Sequence, residues 1–176
     1  LASITGAADS QWNSVAISSA STNTNLAATG LVDGTYKVYA VDAAGNLSSA
    51  SSNSVTVDTT APTASVTTAA IPNSSNAVVQ STETGTAYLV KTTVSVSNLA
   101  SITGAADSQQ NSVTISSAAT NTNLAATGLV DGTYKVYAVD AAGNLSSASS
   151  NSVTVDTTAP TVTSVSTTAD NQSLVS

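Results

Sequence analysis

The chain has 176 residues with three basic and ten acidic side chains, a formal net charge of −7, and only 7% charged residues, where about a quarter is usual. Cys, His, Met and Phe are all absent, so the sequence offers no disulfide, no imidazole base and no His or Cys zinc ligand. The negative balance makes nucleic acid and acidic membrane surfaces poor partners, and no apolar run approaches the roughly 18 residues that would insert into a bilayer.

Residues 1–63 recur at 99–161, a period of 98 (99 − 1), with three substitutions: Trp12/Gln110, Ala16/Thr114 and Ser21/Ala119. The period is too long for most solenoid repeats and is the size of one β-sandwich domain. If a unit begins after "VDTTAP", residues 1–58 are the back part of one domain, 59–156 a complete one, and 157–176 the start of a third. A unit beginning at Leu1 gives 1–98 and a shorter 99–176 instead. The first phase is preferred because Asp-Thr-Thr-Ala-Pro reads as a linker: proline cannot donate to a sheet ladder and belongs between strands or at an edge. No basic start followed by an apolar stretch marks a signal peptide.

In chain order, the unit 59–156 reads as short segments rich in Val, Thr and Tyr that alternate with period two. They are 64–69, 77–81, 86–91, 93–97, 112–116, 123–126, 133–140 and 152–156. Between them stand the turn signals "IPNSSN", "TETG", "SITGAADS", "TGLVDG" and "DAAGN". No stretch carries a capped helical period. The expectation is all-β, with seven or eight strands.

"GLVDGTYKVYAVDAAGN" (30–46 and 128–144) is the most informative segment. An Asp-Gly turn with Tyr two residues later has the form of a tyrosine corner, which sits at the turn into the sixth strand of a Greek-key sandwich. Tyr36 and Tyr134 are therefore expected as corner and core residues. Segment 133–140 becomes that sixth strand, "DAAGN" the loop after it, and 152–156 the last strand. Trp12, being replaced by Gln110, is expected at the surface.

"YKVYAVDAAGN…SVTVDTTAP" resembles the bacterial Ig-like (Big-type) tandem repeats of giant secreted adhesins and biofilm-associated surface proteins. That resemblance implies a cell-surface or extracellular stalk of tandem Ig-like Greek-key β-sandwich domains, often with calcium at the junctions. Its partners would be neighbouring repeats of the same chain or fibre. Surface or glycan contact would fall to distal domains beyond this segment, and insertion into a membrane is not expected.

In such a sandwich the chain enters at one pole and leaves at the other. Asp33 ("VDGT") and Asp58 ("VDTTAP") should then meet Asp140 and Asn144 ("DAAGN") across the linker. Three carboxylates with little positive charge nearby repel one another. Ca2+, which takes six to eight oxygens in flexible geometry, would relieve this. The same logic leaves Asp131 with Asp156, and Asp42 with Asn46, as half-sites. Asp9 and Asp107 have no assigned pole, and Asp170 belongs to the last segment. The competing view is that each Asp does ordinary turn chemistry.

No catalytic set is visible. Ser and Thr abound without a His to activate them. Glu83 and an Asp could pair for hydrolysis, but no insertion forms a cleft. The chain is not expected to be an enzyme. Near-identical repeats suit a spacer. A glycan- or host-surface-binding module, or a strand-complemented extracellular filament, are the alternatives.

Overall fold

A computed structural model describes residues 1–164; most of the 157–176 segment, with Asp170, lies outside the described residues. Two helices are short: α1 (Ala2–Thr5) and α2 (Leu99–Thr103). The strands are β1 (Gly34–Tyr36), β2 (Val55–Val57), β3 (Ala64–Val66), β4 (Ala69–Ile71), β5 (Asn76–Ser81), β6 (Gly85–Lys91), β7 (Gln110–Ile115), β8 (Thr122–Ala125), β9 (Gly132–Asp140) and β10 (Val153–Val155).

From β3 onward the chain is an all-β sandwich. One sheet runs β4-β10-β9-β6-β7 and the other β3-β5-β8. Alternation with period two puts one face of each strand inward. Tyr134, Val136 and Ala138 of β9 therefore share a core with Leu89, Ile115, Val153 and Val155 on their own sheet, and with Val66, Ala77, Val79 and Leu124 across from them. Tyrosine, leucine and the β-branched residues take the place of the missing Phe and Met.

Two segments depart from the pattern-based expectation. Segment 64–69 is two strands, not one: β3 pairs antiparallel with β5, and β4 pairs parallel with β10. The chain switches sheets at Thr67–Thr68, and alternation alone does not reveal such a crossing. Segment 93–97 is not a strand. Val94 N donates back to Lys91 O at 2.9 Å, closing a turn. The chain then enters α2 through a capping box in which Asn98 Oδ1 accepts from Ser101 N (2.9 Å) and Ser101 Oγ accepts from Asn98 N (3.2 Å). The usual sequence mark of that box is Glu or Gln at the third helical position; here Ser101 does the same work.

The tyrosine corner is present twice. The Tyr134 hydroxyl donates to Val130 O at 2.6 Å, and that of Tyr36 to Val32 O at 2.7 Å. Burial pushes the Tyr134 phenol above its ordinary value.

Residues 1–58 keep the conformation of their twin 99–156, but among the described residues they carry only the β1–β2 pair as sheet. β1 and β2 share the register of the corresponding part of β9 and β10: Gly34 faces Val57 as Gly132 faces Val155. The side-chain ties match as well. Asn13 Nδ2 reaches Ala27 O and Thr29 O, as Asn111 Nδ2 reaches Ala125 O and Thr127 O.

Candidate metal centre at the join between the repeats

The last residue of β9 is Asp140, which is largely buried. The loop after it folds onto its carboxylate. Oδ1 accepts from Gly143 N (2.7 Å) and Asn144 N (2.8 Å), and Oδ2 accepts from Asn144 Nδ2 (2.8 Å). Burial alone would raise the Asp140 carboxyl. The Asn144 side chain and the backbone N–H groups of Asn144, Gly143 and Ala142 outweigh it and hold the carboxyl below its ordinary value.

Asn144 also reaches out of its own unit. Its Nδ2 donates to the backbone carbonyl of Asp58 at 3.0 Å, across 86 positions of sequence. Asp58 follows β2 directly, so the first "VDTTAP" is held against the loop after β9. Pro62 of this linker is buried, whereas its twin Pro160 is exposed.

Glu83 completes the group. It stands in the turn between β5 and β6, and Gly85 at the start of β6 faces Asp140 in register. Gly85 has φ +148°, and a Cβ there would lie 2.0 Å from the Val139 carbonyl oxygen. Only glycine lets the turn come this close, and the approach sets Glu83 beside the end of β9. The carboxylate oxygens of Asp58, Glu83 and Asp140 lie within 4.8 Å of one another.

The three lysines do not neutralise this group. Lys37 Nζ donates to Ser51 O, Lys91 Nζ to Asp131 O and Lys135 Nζ to Ser149 O. Three carboxylates, two of them half-buried and one buried, are a donor set that could hold a hard cation.

Of the four residues expected to converge, Asp58, Asp140 and Asn144 meet. Asp33 turns elsewhere. Its Oδ1 accepts from Thr59 N (2.8 Å) and Thr59 Oγ1 (2.7 Å), and its Oδ2 from Thr60 Oγ1 (2.7 Å). These bonds, that of the Thr60 hydroxyl first, lower its pKa. Asp33 thus pins the linker to the turn before β1. Asp131 does the same at the far end of the second unit, through Thr157 and Thr158. Asp156 Oδ1 accepts from Thr158 N at 2.9 Å. Asp42 accepts from the Asn46 side chain (2.8 Å) and from the N–H groups of Ala44 and Asn46.

In the sequence Glu83 pairs with an Asp only as a candidate hydrolytic couple, not as part of this group. Its signal was positional. A hairpin turn leading into the strand beside β9 must lie at the same pole as the loop that follows β9. Trp12 differs from expectation too. It is half-buried, and its indole N–H is enclosed without a partner. It lies in a shallow groove with Ile4, Tyr36 and Tyr39.

No protein-family model matches the chain. It is 35% identical over 156 residues to Chitinase A1 of Niallia circulans, an overlap of 85% of this chain and 21% of that protein. The chain therefore spans about a fifth of the length of this curated relative. Among the described residues, no helix is long and apolar enough to cross a membrane.

Proposed function

We propose that this chain is a non-enzymatic spacer segment of an extracellular bacterial adhesin or surface fibre, with Ca2+ stiffening the join between successive sandwich domains. Its immediate partners are neighbouring repeats. The observation that carries this reading is the Asp58–Glu83–Asp140 group, which draws one ligand from the end of the first repeat and two from the second. A cation there ties the linker to the pole of the next domain. The near-identity of the two repeats favours length over varied recognition.

The test is a calcium titration followed by thermal unfolding and small-angle scattering. Calcium is expected to raise Tm, by mass action on the folded joined form, and to lengthen the particle; a chelator reverses both. Glu83→Gln and Asp58→Asn each remove most of the response. Equal responses in wild type and both variants would reject a calcium site at this join.

The similarity to Chitinase A1 favours a second reading, a non-catalytic accessory module of a chitin-acting secreted enzyme. Binding of the chain to insoluble chitin, unaffected by chelator, would favour this over the spacer.

A further inference from the structure

The switch between sheets at Thr67–Thr68 decides which strands lie side by side. β3 runs away from the pole that holds Asp58, Glu83 and Asp140, since Ala64 faces Ser81 and Val66 faces Val79. After the switch, β4 continues in that direction within the other sheet. β10 runs the same way, because it is antiparallel to β9 and β9 ends at Asp140. The strand segment that opens unit 59–156 and the strand that closes it are therefore neighbours and parallel. Ala69 faces Val153, Ala70 faces Thr154 and Ile71 faces Val155. Had the chain stayed beside β5, the two ends of the unit would share no ladder.

Tension along the chain enters this unit at Thr59 and leaves at Asp156. It draws the first end out past the Asp140 pole and the last end out past the opposite pole. β4 is then pulled one way along its axis and β10 the other. Bonds in a parallel pair are evenly spaced along the two strands, so a pull along the strands loads them together. A pull across the strands would open them one at a time. Neither end can leave without breaking this ladder; β10 is otherwise held by β9, and β3 by β5. The bond from Asp156 N to Ile71 O, at 3.0 Å, closes the ladder at its far end. Ties at both poles keep the pull in line with the strands. At the entry, Thr63 N donates to Thr82 Oγ1 (2.9 Å) and Thr82 N to Thr63 O (3.1 Å). At the exit, the Asp131 carboxylate accepts from Thr157 N (2.9 Å), from the Thr157 hydroxyl (2.6 Å) and from the Thr158 hydroxyl (3.0 Å).

We propose that unit 59–156 is a load-bearing link whose resistance to end-to-end tension lies in the β4–β10 ladder, which such tension shears and does not unzip. The inference rests on the spacer reading for the source of the tension, and it needs no bound cation. The apolar core holds the sandwich closed at equilibrium. The ladder sets how long the sandwich lasts under a pull, because survival under force follows the unfolding rate and not the equilibrium stability.

The chain has no Cys, so two introduced cysteines fix the points by which a single full chain is held. Ser52→Cys, with a cysteine added after Ser176, pulls the unit from both ends. Ser74→Cys lies in the exposed turn between β4 and β5. With the same C-terminal handle it pulls β4 and β10 apart from one pole and unzips their ladder. Chelator is present throughout, so the outcome is independent of the calcium reading. Under constant force, end-to-end pulling should release residues 59–156 in one step of up to roughly 330 Å. The unit should last on the order of tenfold longer in this geometry than in the unzipping one. Asp156→Pro removes the N–H bonded to Ile71 O and should narrow that ratio. Leu124→Ala, in a strand outside the loaded pairs, should shorten both lifetimes alike and leave the ratio unchanged. The wild-type comparison stands whether or not either variant folds. Equal wild-type lifetimes in the two geometries, or a ratio that a folded Asp156→Pro leaves unchanged, would overturn the proposal.

Discussion

Leu26 and Leu124 occupy equivalent positions in two stretches that fold alike, yet one is 42% exposed and the other 0%. Val38 and Val136 differ in the same way, at 53% and 0%. Val32 and Val130, which sit by the tyrosine corner away from the covered face, are exposed in both. Among these pairs the difference falls on the surface that β3–β6 cover. Local conformation, including the corner, the loop after β9 and the linker clasp, is written into each stretch. Burial is not; it belongs to the pair of surfaces that meet.

The sharpest way to break the comparison is to truncate the same side chain in both places. Leu124→Ala removes buried methyl groups from a closed core and is expected to cost about 2–5 kcal/mol. Leu26→Ala, with no cavity to leave, should stay within about 0.5 kcal/mol. Denaturant unfolding of the two variants checks this. Similar losses would mean that Leu26 is covered in solution.

The tyrosine corner gives a smaller contrast. Tyr134→Phe removes the donor to the Val130 carbonyl at a part-buried bond, an expected loss of about 1 kcal/mol. Tyr36→Phe removes the twin bond, but the Val32 carbonyl lies in the exposed half and water replaces the donor, so the loss should be less than half as large. Thermal unfolding of the two single variants and the double variant measures both. Equal losses would place the corner's contribution in local turn geometry, independent of the sandwich around it.

What could be read from the sequence follows the same division. "VDGTY" marked the corner at Tyr36 and Tyr134 because both partners lie within four residues. "DAAGN" gave the loop at Asp140–Asn144 for the same reason. Asp58, Asp140 and Asn144 could be brought together by following the chain from pole to pole. Glu83 could not be assigned to them without knowing that β6 pairs with β9 and that Gly85 permits the close approach. The switch from β3 to β4 was hidden because both halves alternate identically and only their partners differ. The helix α2 was hidden because Asn98 and Ser101 cap it with residues that also suit turns. The burial of Trp12 is hidden for a related reason. The twins do not share an environment: Gln110 heads an edge strand beside Val90, and Trp12 lies in a groove with Ile4, Tyr36 and Tyr39.

The smallest expected effect concerns Asp33 and Asp131, which make the same clasp in both surroundings. Both carboxyls are held below their ordinary value by the threonines that follow the last strand of each unit, with Lys91 adding to the effect only at Asp131. A folded-state pKa lowered in this way contributes stability that is present above the unfolded value, near 3.9. It is lost as pH falls through the folded value. Acidification below about pH 4 should therefore loosen both clasps. Asp131→Asn should flatten the fall of Tm with pH in that range, since the threonine N–H and one hydroxyl still find an amide oxygen while the titrating charge is gone. Asp33→Asn, which keeps an oxygen acceptor for Thr59 N–H, should leave the Tm of the sandwich nearly unchanged and speed amide exchange at Thr59 only slightly. If Asp33→Asn instead lowered Tm as much as Asp131→Asn, the linker would be part of the second unit's cooperative fold, and the two repeats would unfold as one.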